Sequence, residues 1–573
     1  MSILGTFKLP ALVNEPFTQY GPGSRDRAQL EQTVEDLKKR PAQKVYPNVD
    51  GKDVETGDVA QQSSPFDHKL CLAEYHQADA ALVQKAIDGA LAAKRKWVAM
   101  PLHDRAAIFY RAAALIQGPY RDEMMAATML GQGKNPYQAD IDCVAESIDF
   151  LKTFPALAEG LYQNQPPFNA SGVWNRSEVR PLDGFVYAVS PFNFTALAVN
   201  LVLAPLIVGN VVVWKPSPGA ILSSWLFNKI MIEAGLPAGV VQFVPGEAAP
   251  VTDAALSSRH FSALHFTGST DVFRSLWSKI AAQVGSFTSY PRMVGETSGK
   301  NFHLLHPSTR DVRSAAYKTI RAAFEYQGQK CSACSRVYVP QSLAGEFLQA
   351  MVDKTKTLSM GDKMTDFCGP VINRQAFDRI KAILDEAKAD ASVSVLEGGQ
   401  CDDSTGFYIV SGSSPRAPFI SSYPVKGPSQ VFRRLLTAKH SETDHSSSKR
   451  AAVQVHEGGN IWARGGRDSA YGLDFLQMVN DTSEFALTGA FFATDRNAIV
   501  EATEELRFAA GNFYINDQCT GAMPGHQPFG GSRASGTNDK AGTATLLQRF
   551  VSWRTIKEGF TTISDVLYPS NME

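Results

Sequence analysis

Phe185-Val186-Tyr187-Ala188-Val189-Ser190-Pro191-Phe192-Asn193-Phe194-Thr195 is the stretch that decides the fold. Five apolar or β-favouring residues end at a Ser-Pro break, which predicts a short strand delivering a polar loop. The pattern recurs in Val211-Val212-Val213-Trp214, Val240-Val241-Gln242-Phe243-Val244 and Ala263-Leu264-His265-Phe266, with helix-length segments between. Apolar runs without in–out alternation, spaced by helices, predict a parallel sheet covered on both faces: an α/β, doubly wound architecture. Such sheets bind ligands on the loops beyond the carboxyl ends of their strands.

Three of those loops carry usable chemistry. In Ser190-Pro191-Phe192-Asn193-Phe194-Thr195, the amide of Asn193 can donate to an oxyanion, or simply close an Asx-type turn. In Trp214-Lys215-Pro216-Ser217, Lys215 can reach ribose hydroxyls or a phosphate, or lie on the surface. In Phe266-Thr267-Gly268-Ser269-Thr270-Asp271, backbone N–H groups can face a pyrophosphate, or Ser269 or Thr270 can cap the following helix. None of these is a Gly-x-Gly-x-x-Gly fingerprint.

Upstream, residues 25–160 are mostly helical in pattern, as at 79–97 and 104–117. Downstream, a second βα region runs from 296 to about 397 and resumes near 475, and residues 550–557 predict a late strand. Residues 411–470 differ in kind, with serine clusters, the pair Arg433-Arg434, His440 and His445; their composition predicts a solvated or disordered insert.

The chain has 573 residues, 44% hydrophobic and 20% charged, with a net charge of -1. No basic face for nucleic acid or an acidic membrane is implied, so a small-molecule partner is expected. The apolar run around residues 201–214 is broken by Pro205, Gly209 and Asn210 and cannot span a bilayer. The first fourteen residues carry neither an arginine-rich presequence nor a signal-peptide cleavage pattern. Seven cysteines, odd in number and sparse, fit a reducing compartment.

Two of these cysteines lie in Gln327-Gly328-Gln329-Lys330-Cys331-Ser332-Ala333-Cys334, downstream of Gly295-Glu296-Thr297-Ser298-Gly299-Lys300-Asn301. A thiol that attacks a carbonyl needs a base to activate water, and Glu296 beside glycines supplies one. Cys331 and Cys334 also make a C-x-x-C, but no second C-x-x-C or C-x-x-H follows to complete four ligands, so no metal is expected. Further on, Gly511-Asn512-Phe513-Tyr514-Ile515-Asn516-Asp517-Gln518-Cys519-Thr520-Gly521-Ala522 leads to Gln527-Pro528-Phe529-Gly530-Gly531-Ser532-Arg533-Ala534-Ser535-Gly536, a glycine-rich loop that permits close backbone approach to a ligand.

Taken in this order, the runs resemble the aldehyde dehydrogenase superfamily, and within it the branch of 1-pyrroline-5-carboxylate dehydrogenases, over roughly residues 10–405 and 475–560. The resemblance implies a Rossmann-like cofactor domain (1–161 and 183–294), an α/β catalytic domain (295–548) and a small β-flap for oligomerisation (162–182 and 549–573). It implies NAD-dependent oxidation of L-glutamate γ-semialdehyde to L-glutamate in proline catabolism, through a thioester on Cys331, with Glu296 as base and Asn193 as oxyanion donor. By the same resemblance, Ser190, Lys215, Gly268, Ser269 and Thr270 hold NAD. Ser332, Gly521 and Ala522 anchor the substrate's carboxylate and amino group while Phe194 and Phe529 flank its stem. Ala522 stands where some relatives have Ser. A homodimer or larger homo-oligomer in the mitochondrial matrix is implied, with the cytoplasm as the alternative.

One family part is missing. Relatives carry Glu-Glu-x-Phe-Gly-Pro-Val beyond the nucleophile, its Glu holding the nicotinamide ribose, and this chain has no such run. Gly458-Gly459-Asn460-Ile461-Trp462-Ala463-Arg464 can be encoded GGA GGA AAT ATT TGG GCC CGT; shifted by one base, with the G of Gly465, this reads Glu-Glu-Ile-Phe-Gly-Pro-Val. Residues 411–470 are therefore read as largely a frame-shifted or mis-spliced translation. Two rival readings stand beside oxidation of glutamate semialdehyde: a dehydrogenase for another aldehyde, and an impaired homologue acting as a structural subunit.

Overall fold

The computed structural model describes residues 8–391, 394–410, 419–424, 452–458 and 470–572. The four runs expected as strands form Phe185–Val189, Val212–Lys215, Val241–Phe243 and Phe261–Thr267. With Arg292–Glu296 they make a parallel sheet in the spatial order Arg292–Glu296, Phe261–Thr267, Phe185–Val189, Val212–Lys215, Val241–Phe243, extended by the short antiparallel strands Asn48–Val49 and Lys52–Asp53. All seven residues of Phe261–Thr267 are buried, as expected of a strand with helices on both faces. Strand order reverses between Phe185–Val189 and Phe261–Thr267, and the loops diverge there to open a crevice.

Helices Ala80–Ala99 and Leu102–Gln117 follow the expected patterns. The first begins where the Asp79 carboxylate accepts a hydrogen bond from the N–H of Leu82. Its apolar face, including Val83, Ala86, Ile87 and Ala90, is fully buried in the core around the first sheet.

A second seven-stranded sheet has the order Ser394–Glu397, Phe419–Pro424, Ala452–Gly458, Cys334–Pro340, Asn301–Leu305, Thr488–Phe492, Asn512–Ile515, all parallel except the first. Within 411–470, expected as a solvated or disordered insert, Phe419–Pro424 and Ala452–Gly458 are instead strands of this sheet, and residues 411–418, 425–451 and 459–469 lie outside the described residues. Backbone pairing along Cys334–Pro340 needs N–H and C=O partners, not apolar side chains, and so does not require the composition of an ordinary buried strand. Residues 459–464, which hold most of the run proposed to be out of frame, lie outside the described residues. Finally, Val173–Pro181 pairs antiparallel with Val551–Gly559 as a two-stranded arm. Among the described residues, no helix is long and apolar enough to cross a membrane.

Candidate active site

The two sheets meet through side chains. Glu296 is the last residue of Arg292–Glu296, and Cys331 lies in the turn before Cys334–Pro340. The Cys331 thiol donates to Glu296 Oε1 at 3.3 Å. Burial pushes the Glu296 carboxyl up to about 7, against the opposing pull of the Cys331 bond and the Lys540 charge. The residue keeps a partly exposed edge, and a carboxyl poised near neutrality is suited to work as a general base. Lys540 lies nearby, its ammonium held by the carbonyl oxygens of Gly511 and Gly530 at 2.7 and 2.9 Å. Glu296, Lys540, Thr267 and Phe529 all line a small cavity of about 30 Å³, room for about one water.

The turn carrying Cys331 is held in a backbone conformation that few residues adopt: φ is 53° at Tyr326 and Gln327 and 69° at Gly328. Asn301 clamps the chain from Cys331 to Ala333. Its Nδ2 donates to the carbonyls of Cys331 and Ala333 at 2.9 and 2.8 Å, and its Oδ1 accepts from the N–H of Thr488 at 2.9 Å. Gly299 makes the approach possible, since a Cβ there would lie 2.8 Å from the Cys331 carbonyl oxygen. Asn193 comes from the loop after Phe185–Val189 and donates to the carbonyl of Gln329 at 3.0 Å, two residues from the thiol. The three residues expected to do the chemistry are thus brought together.

The residues expected to hold a cofactor lie at the carboxyl ends of the first sheet. Ser190 spends its hydroxyl on the indole N–H of Trp214, at 3.0 Å, and is buried. Lys215 is 5% exposed, and burial lowers its pKa to about 8; its ammonium donates to the Pro216 carbonyl at 3.3 Å. Ser269 caps helix Thr270–Ala282 by accepting from the N–H of Val272, while the Thr270 hydroxyl donates to the Ala534 carbonyl. Gly268 donates its N–H to the Glu296 carbonyl at 3.2 Å, tying the loop expected to hold a cofactor to the residue expected to act as base.

Of the residues expected to hold substrate, Ser332 is buried and its carbonyl accepts from the Thr488 hydroxyl and the Cys519 thiol, each at 3.3 Å. The thiol's bond links the turn of Cys331 and Ser332 to the loop bearing Gly521, at φ 87°, and Ala522. Phe529 pairs with Ala541. Phe194 lies under the ammonium of Lys134, 4.3 Å from the ring centroid; Lys134 is also 4.6 Å from the Tyr326 ring and bonded to Asp142 at 2.9 Å. The Lys134 side chain is fully buried, so the ion pair and the two ring faces replace its hydration. Sequence reasoning missed Asn301, Lys134 and Lys540. The run Gly131-Gln132-Gly133-Lys134-Asn135-Pro136, a lysine between helix breakers, was the available signal for the second.

Comparison with known proteins agrees with this arrangement. The model of the aldehyde dehydrogenase family matches residues 53–411 and 473–556, leaving out the interval between them. A Schizosaccharomyces pombe protein named probable delta-1-pyrroline-5-carboxylate dehydrogenase is 46% identical, with 100% of each chain covered. The mitochondrial delta-1-pyrroline-5-carboxylate dehydrogenase of Emericella nidulans is 47% identical, over 99% of this chain and 95% of that one. The crystal structure of the Mycobacterium tuberculosis delta-pyrroline-5-carboxylate dehydrogenase bound with NAD superposes with a TM-score of 0.89 at 38% identity, over 99% of each chain. With the family model spanning most of its length and relatives this similar end to end, the chain belongs to the aldehyde dehydrogenase family.

Proposed function

We propose that this protein oxidises L-glutamate γ-semialdehyde, the open form of 1-pyrroline-5-carboxylate, to L-glutamate with NAD, a step of proline catabolism. The observation that carries the chemistry is the 3.3 Å contact between the Cys331 thiol and the Glu296 carboxylate, beside the Asn193 amide. The choice of aldehyde is supported by full-length similarity to proteins named for 1-pyrroline-5-carboxylate, and the choice of cofactor by the NAD-bound relative.

The first sheet suits a dinucleotide. Lys215 sets a buried amine at a strand's carboxyl end, and the Gly268-Ser269-Thr270 turn opens a thirteen-residue helix whose N–H groups favour an anion. NAD, when bound, supplies the hydride acceptor. The chain's own residues do the rest. Cys331, its thiol proton lost to solvent, adds as the thiolate to the aldehyde carbon, forming a C–S bond and an alkoxide. Asn193 Nδ2 and the Cys331 N–H stabilise that oxyanion. Once the carbon is oxidised to a thioester, Glu296 takes a proton from water, which displaces the sulfur and releases the acid. The Gly521 and Ala522 N–H groups with the Ser332 hydroxyl hold the substrate's charged end, and Phe194 and Phe529 flank its stem.

The division into a cofactor part (1–161, 183–294), a catalytic part (295–548) and an arm (162–182, 549–573) follows from these roles. The arm exposes Trp174, Trp553 and Phe560 at 50%, 38% and 65%, which supports pairing with another copy in a homo-oligomer. The mitochondrial name of the Emericella nidulans relative supports the mitochondrial matrix as the compartment.

The test is NAD⁺ reduction by the purified chain with glutamate semialdehyde against simple aliphatic aldehydes. Wild type is expected to prefer glutamate semialdehyde in kcat/KM, and Cys331→Ala to lose turnover. Persisting turnover in Cys331→Ala, or a preference for the aliphatic aldehydes, overturns the assignment.

A further inference from the structure

The C-x-x-C of Cys331 and Cys334 is split by the fold. Cys331 turns its sulfur to Glu296, while Cys334 joins His303 and Cys519, residues 31 positions before it and 185 after it in the chain. The two sulfurs and an imidazole nitrogen lie within 4.8 Å of one another. All three residues are almost completely buried, at 1%, 0% and 0% exposure for Cys334, His303 and Cys519. We propose that His303, Cys334 and Cys519 bind one thiophilic d¹⁰ cation, Zn²⁺ or Cd²⁺, behind the nucleophile turn.

Donor type is the first argument. Two thiolates and one imidazole are the ligands that closed-shell soft or borderline cations select, and hard cations such as Mg²⁺ are poorly served by them. Charge is the second: two thiolates neutralise a dication, so the occupied site is electrically neutral in a place where an unpaired charge would be costly.

The strongest argument is how the imidazole is held. The Thr319 hydroxyl donates to the Ala315 carbonyl at 2.8 Å, which leaves its oxygen to accept at 2.8 Å from His303 Nδ1. The proton is thereby fixed on Nδ1, and Nε2 is left as the acceptor: it takes a hydrogen bond from the backbone N–H of Cys519 at 3.2 Å, which the cation displaces to reach the lone pair. A hydrogen bond that orients a histidine through its other nitrogen is what metal-binding histidines generally have. The thiols are weakly engaged, Cys334 donating to the Arg336 carbonyl at 3.4 Å and Cys519 to that of Ser332 at 3.3 Å. On binding, two S–H bonds and the hydrogen bond from the Cys519 N–H to His303 Nε2 break, and two metal–sulfur bonds and one metal–nitrogen bond form. Two protons leave to solvent, a water completes four-coordination, and no oxidation state changes.

The experiment needs neither aldehyde nor NAD, so it is independent of the proposed activity. Reduced full-length protein is titrated with Cd²⁺ under argon while the ultraviolet thiolate-to-metal band and proton release are followed. One equivalent with two protons released is expected, in wild type and in Cys331→Ser alike. Cys334→Ser and Cys519→Ser should each lose about half of the band and bind at least about 100-fold more weakly. Anomalous diffraction from Cd²⁺-soaked wild-type crystals locates the ion even if a variant does not fold. Density between His303, Cys334 and Cys519 is the expected result. No band in wild type, a band lost only in Cys331→Ser, or density elsewhere overturns the proposal.

Discussion

The two seven-stranded sheets place their functional groups by different means. In the sheet around Phe185–Val189, Ser190, Lys215, Gly268 and Glu296 are each the last residue of a parallel strand or the one after it. The strand ends alone bring them to one edge. In the sheet around Asn301–Leu305, the proposed nucleophile Cys331 sits before its strand, just after the left-handed backbone of Tyr326, Gln327 and Gly328, and side chains hold it there: Asn301 on its carbonyl, Thr488 and Cys519 on that of Ser332. Groups that bind a long ligand tolerate the precision of strand ends. A sulfur that must meet one carbon does not, because misplacement by about 1 Å can cost ~10²-fold in rate.

The largest expected effect tests the proposed base, Glu296, that the first sheet lends to the second. Glu296→Gln should lower kcat by about 10³-fold, since the thioester forms but water is not activated. A burst of one NADH per site, followed by near arrest, is the rapid-mixing signature. With its pKa raised to about 7, the wild-type carboxyl is protonated below that pH and cannot act as base. Turnover limited by hydrolysis therefore rises as pH passes through about 7 and falls below it. An acid limb that persists unchanged in Glu296→Gln would show that some other group governs it.

Next is the clamp. Asn301→Ala leaves two carbonyl oxygens and one N–H buried without their partner. Even one such group costs about 1–3 kcal/mol, so a loss of roughly 3 kcal/mol or more is expected in chemical denaturation, together with a fall in kcat. If stability drops while kcat holds, the turn is positioned by its own backbone and the contrast between the sheets weakens. Asn193→Ala should follow, lowering kcat/KM by about 10²-fold through loss of an oxyanion donor, with little change in the KM for NAD⁺.

The same contrast explains what the amino-acid order reveals. Phe185–Val189 is legible to the residue, because a strand buried on both faces is a continuous apolar run. Phe261–Thr267 begins two residues before its expected start, since Ser262 interrupts the apolar pattern and shifts the register, while Phe261 still pairs with Phe185. Phe419–Pro424 and Ala452–Gly458 are illegible for the same reason carried further: Ser421, Ser422, His456 and Glu457 break the pattern, yet their backbone still pairs. Cys331, Glu296 and Asn193 stand out because each lies in a distinctive local run. Asn301, Lys134 and the trio of His303, Cys334 and Cys519 do not, since a polar residue alone does not disclose which distant atoms it will meet. The C-x-x-C even points the wrong way, by suggesting that its two cysteines act together.

The smallest effect is the sharpest test of the first sheet's economy. Ser269 accepts from the N–H of Val272 at 3.3 Å and lies at the mouth of the helix expected to face the cofactor. Ser269→Ala removes one cap and should cost about 1 kcal/mol of stability. If strand and helix ends place this side of the site, the remaining N–H groups stay where they are. The KM for NAD⁺ should then rise only a few-fold, with kcat and the KM for the aldehyde unchanged. A large fall in kcat from so small a change would mean that the cofactor loop, tied to the base through the Gly268 N–H and the Glu296 carbonyl, also positions Glu296. The two sheets would then have to be treated as one coupled device.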